Sequence, residues 1–209
     1  FQRAIGLPKE ESLRRSYLIS HQVERNRSTG LGDVTALAAG GCERRLEAGA
    51  PYHGSLLHAG PGHAEGWSCS TPVVLAWRPD AGKHTSIYID DPVWKESISR
   101  AGAKQMQTLS EGEWDIERWT ELLDSAKCFA EESGIQADSS RVDLLSMVED
   151  AMQECGITEE SVAMLCMLGE SVAIVPSDAT SEAGWSSRLV SELEKSGLQA
   201  IMTRVGETS

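Results

Sequence analysis

From Trp119 onward the apolar residues change spacing in a fixed succession, and this limits the possible folds more than any other feature of the chain. Trp119, Leu122, Leu123, Ala126, Phe129 and Ala130 recur at helical intervals until Gly134 interrupts them. Ser140 with Asp143 reads as a capping box ahead of Leu144, Leu145, Val148 and Met152. Two short apolar runs follow, 162–168 and 171–175, and Gly169-Glu170 between them predicts a hairpin. Leu189 and Leu193 belong to another helix, closed at Gly197, and 200–205 reads as a last strand. The second half is thus three helices, two strands, a helix and a strand. Strands mixed with helices packed on one face predict an α+β fold.

Upstream, the pattern is more broken. Gly6 and Pro8 precede a helix beginning near Lys9, with Glu10 and Glu11 at its electropositive start. Leu13, Tyr17, Ser20 and Glu24 share one face, so Glu24 ends that helix on the side turned inward. A glycine-rich turn, 28–33, leads into the apolar run 34–39, which Gly40-Gly41 stops. Residues 49–71 read as loops and short extended pieces. Val73 to Trp77 is a buried-strand candidate and His84 to Ile89 a second, with turn chemistry at Pro79-Asp80-Ala81-Gly82 between them. The predicted domains are therefore 1–80 and 81–209.

The 209 residues carry 19 basic and 32 acidic side chains, a net charge of -13. Such a charge repels nucleic-acid backbones and anionic lipid, so neither a nucleic-acid nor a membrane partner is expected. No apolar run reaches the length of a bilayer span. Five cysteines without a CxxC pair predict reduced, mostly buried thiols in a cytoplasmic protein. His53, His58 and His63 recur every five residues, a spacing that does not hold side chains on one helical face, and they read as loop residues.

The segment best suited to chemistry is Gly30-Leu31-Gly32-Asp33-Val34, ending at Gly40-Gly41. Two glycines let the backbone turn sharply and approach a ligand. A helix starting at Asp33 would turn free backbone N–H groups toward a phosphate, and the Asp33 carboxylate could orient a hydroxyl and accept its proton. Asp33 as a plain helix N-cap fits the same spacing. Arg44 and Arg45 could hold a substrate carboxylate in a bidentate fork or stand solvated.

This segment resembles the catalytic-aspartate motif of the GHMP kinases, and its wording is closest to the archaeal pantoate kinases. Further stretches resemble that family in order: Thr85-Ser86-Ile87, residues 125–134, and residues 164–170. Only the first motif is specific to chemistry. The resemblance implies an N-terminal domain like ribosomal protein S5 domain 2 and a ferredoxin-like C-terminal domain. It implies ATP-dependent phosphorylation of the pantoate hydroxyl in coenzyme A synthesis, with ATP and magnesium (Mg2+) as cofactors. Asp33 takes the catalytic position, Gly30, Gly32 and Arg44 the substrate-binding positions, and Gly169 a nucleotide-binding one. Glu24 is the candidate magnesium ligand, with a surface Glu at a helix end as the alternative. The family's phosphate-binding loop would lie upstream of Phe1, so the chain as it stands is expected to bind ATP poorly and to be inactive. Homoserine, mevalonate or shikimate are alternative acceptors, and a non-catalytic metabolite-binding member is a second reading. A homodimer is expected by analogy.

Overall fold

The computed structural model describes residues 2–27, 32–54, 56–79, 88, 90–166 and 169–206. Helices and strands are mixed throughout, as the α+β reading requires. The chain divides into two units, Phe1–Ser68 with Glu207–Ser209, and Cys69–Gly206. The division precedes the expected 80/81 boundary because the strand at 72–77 pairs into the second unit's sheet. Among the described residues no helix is long and apolar enough to cross a membrane.

In the first unit, helix α1 (Lys9–Arg27) has Glu10 and Glu11 in its first turn, each ion-paired to the arginine four residues on. Its only buried residue is Ser12, so helix propensity and these pairs, more than a packed stripe, maintain its turns. Helix α2 (Asp33–Ala39) buries Val34 and Thr35 and ends at Gly40, whose φ of 73° suits a residue without Cβ. Strands β1 (Cys42–Glu47) and β4 (His63–Trp67) form an antiparallel pair, and β2 (Tyr52–His53) with β3 (His58–Ala59) a second, shorter one. The Thr35 hydroxyl donates to the Gly49 carbonyl at 2.6 Å, which fastens α2 to the loop after β1. Tyr17 stacks on Tyr52, and Arg14 lies over the Tyr52 ring at 5.4 Å, so α1 is held to the β2–β3 hairpin.

The second unit is built on a four-stranded antiparallel sheet in the order β6-β7-β5-β8, with β5 (Pro72–Trp77), β6 (Ser161–Leu165), β7 (Ser171–Pro176) and β8 (Gln199–Arg204). Helices α3 (Pro92–Leu109), α4 (Trp119–Glu132) and α5 (Ser139–Cys155) lie between β5 and β6, and α6 (Ser186–Lys195) between β7 and β8. Apart from α3 and α4 the order is strand, helix, strand, strand, helix, strand, and β7 separates the parallel pair β5 and β6. That is the split βαβ arrangement of ferredoxin-like sheets. Val74 and Ala76 of β5, Val172 and Ile174 of β7, and Ala200 of β8 point to one face by the period of two. Leu144, Val148, Ala151 and Cys155 of α5, together with Leu189 and Leu193 of α6, cover that face. Each fully buried Leu or Val here stabilises the unit by about 1.5–3 kcal/mol relative to exposure. The Trp119 indole N–H donates to the Pro176 carbonyl and ties α4 to the end of β7.

The predicted succession of three helices, two strands, a helix and a strand is the one observed. The cap of α5 differs from expectation. Asp138, not Ser140, holds the N-cap position and accepts from the backbone N–H and the hydroxyl of Ser140. An Asp preceding two serines competes successfully because its carboxylate is the stronger acceptor. The strand expected at 84–89 and the turn at 79–82 fall largely outside the described residues. No disulfide joins the five cysteines; Cys42 and Cys155 are buried, and Cys128 is exposed.

Candidate active site

Asp33 at the start of α2 lies within electrostatic reach of two other carboxylates of the first unit, Glu24 near the end of α1 and Glu43 on β1. The capping alternative for Asp33 is not realised. Gly32 occupies the N-cap, no side chain caps the helix, and Asp33 stands exposed in the first turn. There a carboxylate feels the positive end of the helix and remains open to a ligand. Loss of hydration pushes the Glu24 carboxyl above its ordinary range, and the Asp33 charge adds to the effect. Loss of hydration also raises Glu43, the Arg45 cation opposes the rise, and Asp33 again contributes to it. One oxygen of Glu24 and one of Glu43 are buried with no hydrogen-bond partner. Those two acceptors point to an arrangement suited to a cation or a proton donor.

The two arginines after Gly40-Gly41 part company because successive strand residues face opposite ways. Arg44 stands opposite Glu65 in the β1–β4 register, and its Nη2 and Nε both donate to the same Glu65 oxygen, at 2.8 and 3.1 Å. Its side chain is only 6% exposed, so Arg44 is a cross-strand structural cation and not the solvated group the sequence allowed. Arg45 faces the other way, with Glu43. Its guanidinium lies where a side chain on Gly32 would begin, so only glycine at 32 admits it there. The residues opposite Glu43 and Arg45 are Gly66 and Ala64, and the Gly40 carbonyl packs so closely on Gly66 that no side chain fits there.

His21, one turn before Glu24 on α1, and Arg25, the residue after it, line a cavity of about 520 Å³ with Gln22, Tyr52, His53 and Pro61. The His21 Nδ1 is buried without a partner. A guanidinium and two imidazoles around a largely apolar hollow suit a small molecule carrying a carboxylate.

Of the residues singled out in the sequence, Glu24, Asp33 and Gly32 come together, and Arg45 joins them where Arg44 was expected. Gly30 lies outside the described residues. Gly169 belongs to the second unit, exposed in the turn after β6, where its N–H donates to the Cys166 carbonyl and its own carbonyl accepts from the buried Arg141. His53 and His58 face each other across β2 and β3, while His63 pairs with Glu47. Among the described residues no three His, Cys, Asp or Glu side chains are grouped to hold a metal ion. Mg2+ is usually held by one or two carboxylates, its own waters and substrate phosphates, and the hard oxygen donors Glu24 and Asp33 fit that mode. Glu43, His21 and Arg25 were not found from sequence. The alternation Glu43-x-Arg45 within 42–47 is the one signal that would have put Glu43 and Arg45 on a common strand face.

The fold and this cluster define an α+β protein with a split-βαβ unit and a separate unit bearing an acidic, arginine-flanked surface at a helix start. No protein-family model matches the sequence, and no curated protein matches it. Among solved structures, one described as "Phosphotransferase related to CoA biosynthesis pathway" superposes with a TM-score of 0.63 at 20% identity. The superposition covers 100% of this chain and 59% of that one. The likeness is one of fold, and the chain spans 59% of that protein's length.

Proposed function

We propose that this chain is the greater part of a small-molecule kinase of the GHMP type that transfers the γ-phosphoryl group of ATP to the hydroxyl of pantoate. The observation that carries this reading is the placement of Asp33. It is an exposed carboxylate in the first turn of α2, beside Glu24 and Glu43, with Arg45 laid over Gly32. A fold shared with a phosphotransferase of the coenzyme A pathway supports it.

In this reading Asp33 orients the acceptor hydroxyl and takes its proton as the hydroxyl oxygen bonds to the γ-phosphorus and ADP leaves. Glu24, with Asp33 beside it, would hold Mg2+, which when bound neutralises charge on the transferring phosphoryl group. Arg45 matches the acceptor carboxylate, and the His21–Arg25 cavity offers room for the branched body of a small hydroxy acid. Glu43 keeps Arg45 aligned across two positions of the same strand. This chain spans 59% of the superposed phosphotransferase, so the activity proposed is that of the whole protein.

The test is conversion of ATP and pantoate to ADP and 4-phosphopantoate by the full-length protein. Asp33→Asn should abolish turnover while leaving pantoate binding measurable, and undiminished turnover by Asp33→Asn would falsify the assignment. Homoserine, mevalonate and shikimate run in parallel decide the acceptor.

A further inference from the structure

The sheet of the second unit has two edges, and the chain treats them differently. At one edge β6 lies against α4, and its residues are buried or half-buried. At the other, among the described residues, no strand pairs with the outer side of β8, and every residue of that strand but Ala200 is exposed. Exposed edges are ordinarily blunted by a proline, a lysine, a bulge or an inward-pointing charge. β8 has none of these, and it runs against β5 from Gln199 to Arg204 without a shift in register. Ile201 and Met202 stand 48% and 55% exposed, on opposite faces of the strand. The one charged side chain, Arg204, is drawn back to the Ser70 carbonyl ahead of β5 and toward Glu182.

The backbone shows which groups this edge offers. The Val205 N–H donates to the Thr71 carbonyl, one residue beyond the pairing of Arg204 with Pro72. In an antiparallel ladder the two residues of a hydrogen-bonded pair turn both their groups toward each other, and the next pair turns both away. Thr203, Ile201 and Gln199 therefore direct N–H and C=O toward β5, whereas Ala200, Met202 and Arg204 direct both outward. Pro72, which has no N–H, stands opposite Arg204, where the ladder requires none. The outward groups thus form a regular row of donors and acceptors centred on Met202.

We infer that a second copy of this chain adds its own β8 to this edge, antiparallel, about a two-fold axis at Met202. Two identical antiparallel strands related by such an axis set one residue opposite itself. With Met202 opposite Met202 of the second copy, Ala200 stands opposite Arg204, and every outward N–H and C=O on both strands finds a partner. Centring on Ile201 instead sets Arg204 opposite Leu198, whose N–H is already given to the Leu193 carbonyl. The Met202 register also places Ile201 beside Thr203 of the second copy, so both exposed apolar residues gain cover. Charge favours the same edge. A net charge of -13 makes two copies repel each other in general, and β8 holds no acidic residue. The inference concerns the second unit alone and stands apart from the chemistry proposed for the first.

The test is sedimentation velocity of the full-length protein over a range of concentrations, with hydrogen exchange of the β8 amides. A reversible dimer is expected, in which the Ala200, Met202 and Arg204 amides are protected along with those of Ile201 and Thr203. Met202→Lys sets two like charges opposite each other and should weaken the dimer about ten-fold or more. It should release the Ala200 and Arg204 amides to fast exchange while those of Ile201 and Thr203, bonded to β5, stay protected. Met202→Pro removes a donor that β5 does not use, so it should weaken the dimer to a similar degree and leave the fold intact. Val142→Lys, which charges an exposed apolar position on α5, should leave the dimer unchanged. A protein that stays monomeric at every concentration overturns the proposal. So does a dimer that Met202→Lys weakens no more than Val142→Lys does.

Discussion

Glu43 offers a direct physical test of the carboxylate cluster, independent of any assay of activity. Its side chain is half-buried on β1, one of its oxygens has no hydrogen-bond partner, and its carboxyl is raised by lost hydration against the opposing pull of Arg45. A group whose folded-state pKa lies above the unfolded value binds more protons in the folded chain, so stability falls as pH rises through that interval. The penalty is absent below the ordinary carboxylate range and complete once pH exceeds the raised value. Lost hydration of the ionised carboxylate costs on the order of 1–3 kcal/mol beyond that of a neutral amide, and the attraction of Arg45 offsets part of it. Glu43→Gln should therefore stabilise the chain by about 1 kcal/mol at neutral pH. In a unit of this size that is about 4 °C or more in Tm if the unit melts alone. The gain should vanish in mildly acid buffer. Thermal melts of wild type and Glu43→Gln across the acid-to-neutral range read this directly. Repeating them with excess Mg2+ should narrow the difference, because a cation relieves the same repulsion in the wild type. A Glu43→Gln chain less stable than wild type at neutral pH, or a difference that ignores pH, would refute the reasoning.

Gly32→Ala should cost about 1 kcal/mol, because φ at 32 is -130° and admits alanine without strain but alanine is a much poorer N-cap than glycine. The new methyl must displace the Arg45 guanidinium, so in the proposed kinase the pantoate KM should rise about ten-fold with a much smaller change in kcat, measured by steady-state kinetics. Gly66→Ala should cost about 3 kcal/mol in chemical denaturation, because its methyl would meet the Gly40 carbonyl, a backbone atom that cannot swing aside. Asp138→Ala should destabilise the second unit by about 1 kcal/mol and Ser140→Ala by less, a ranking opposite to that of a Ser140 cap.

How far the sequence could be read differs sharply between the two units, and the reason lies in the range of the interactions. Leu144, Val148 and Cys155 repeat on one face of one helix, and Val172 and Ile174 alternate on one strand. Each pattern is local, so the succession of elements in the second unit was legible without any contact being known. The placement of β5 was not, because Val73 to Trp77 reads as a buried strand wherever it pairs. Only its ladders with β7 and β8 assign it to the second unit. In the first unit the same limit falls on the chemistry. The helix start at Asp33 was legible from the glycine-rich turn before it, and the inward side of Glu24 from helical phase. Glu43 and Arg45 depend on which face β1 turns to the carboxylates, and that parity is fixed by pairing across to Glu65 and Gly66. Glu-Arg-Arg-Leu-Glu presents a charged residue on either face, so its alternation alone favours neither arginine. Arg44 is drawn inward because Glu65 stands opposite it on β4, and Arg45 is thereby left over Gly32. The residue opposite an arginine, and not the arginine's own neighbours in sequence, decides whether it is drawn into the fold or left on the open face.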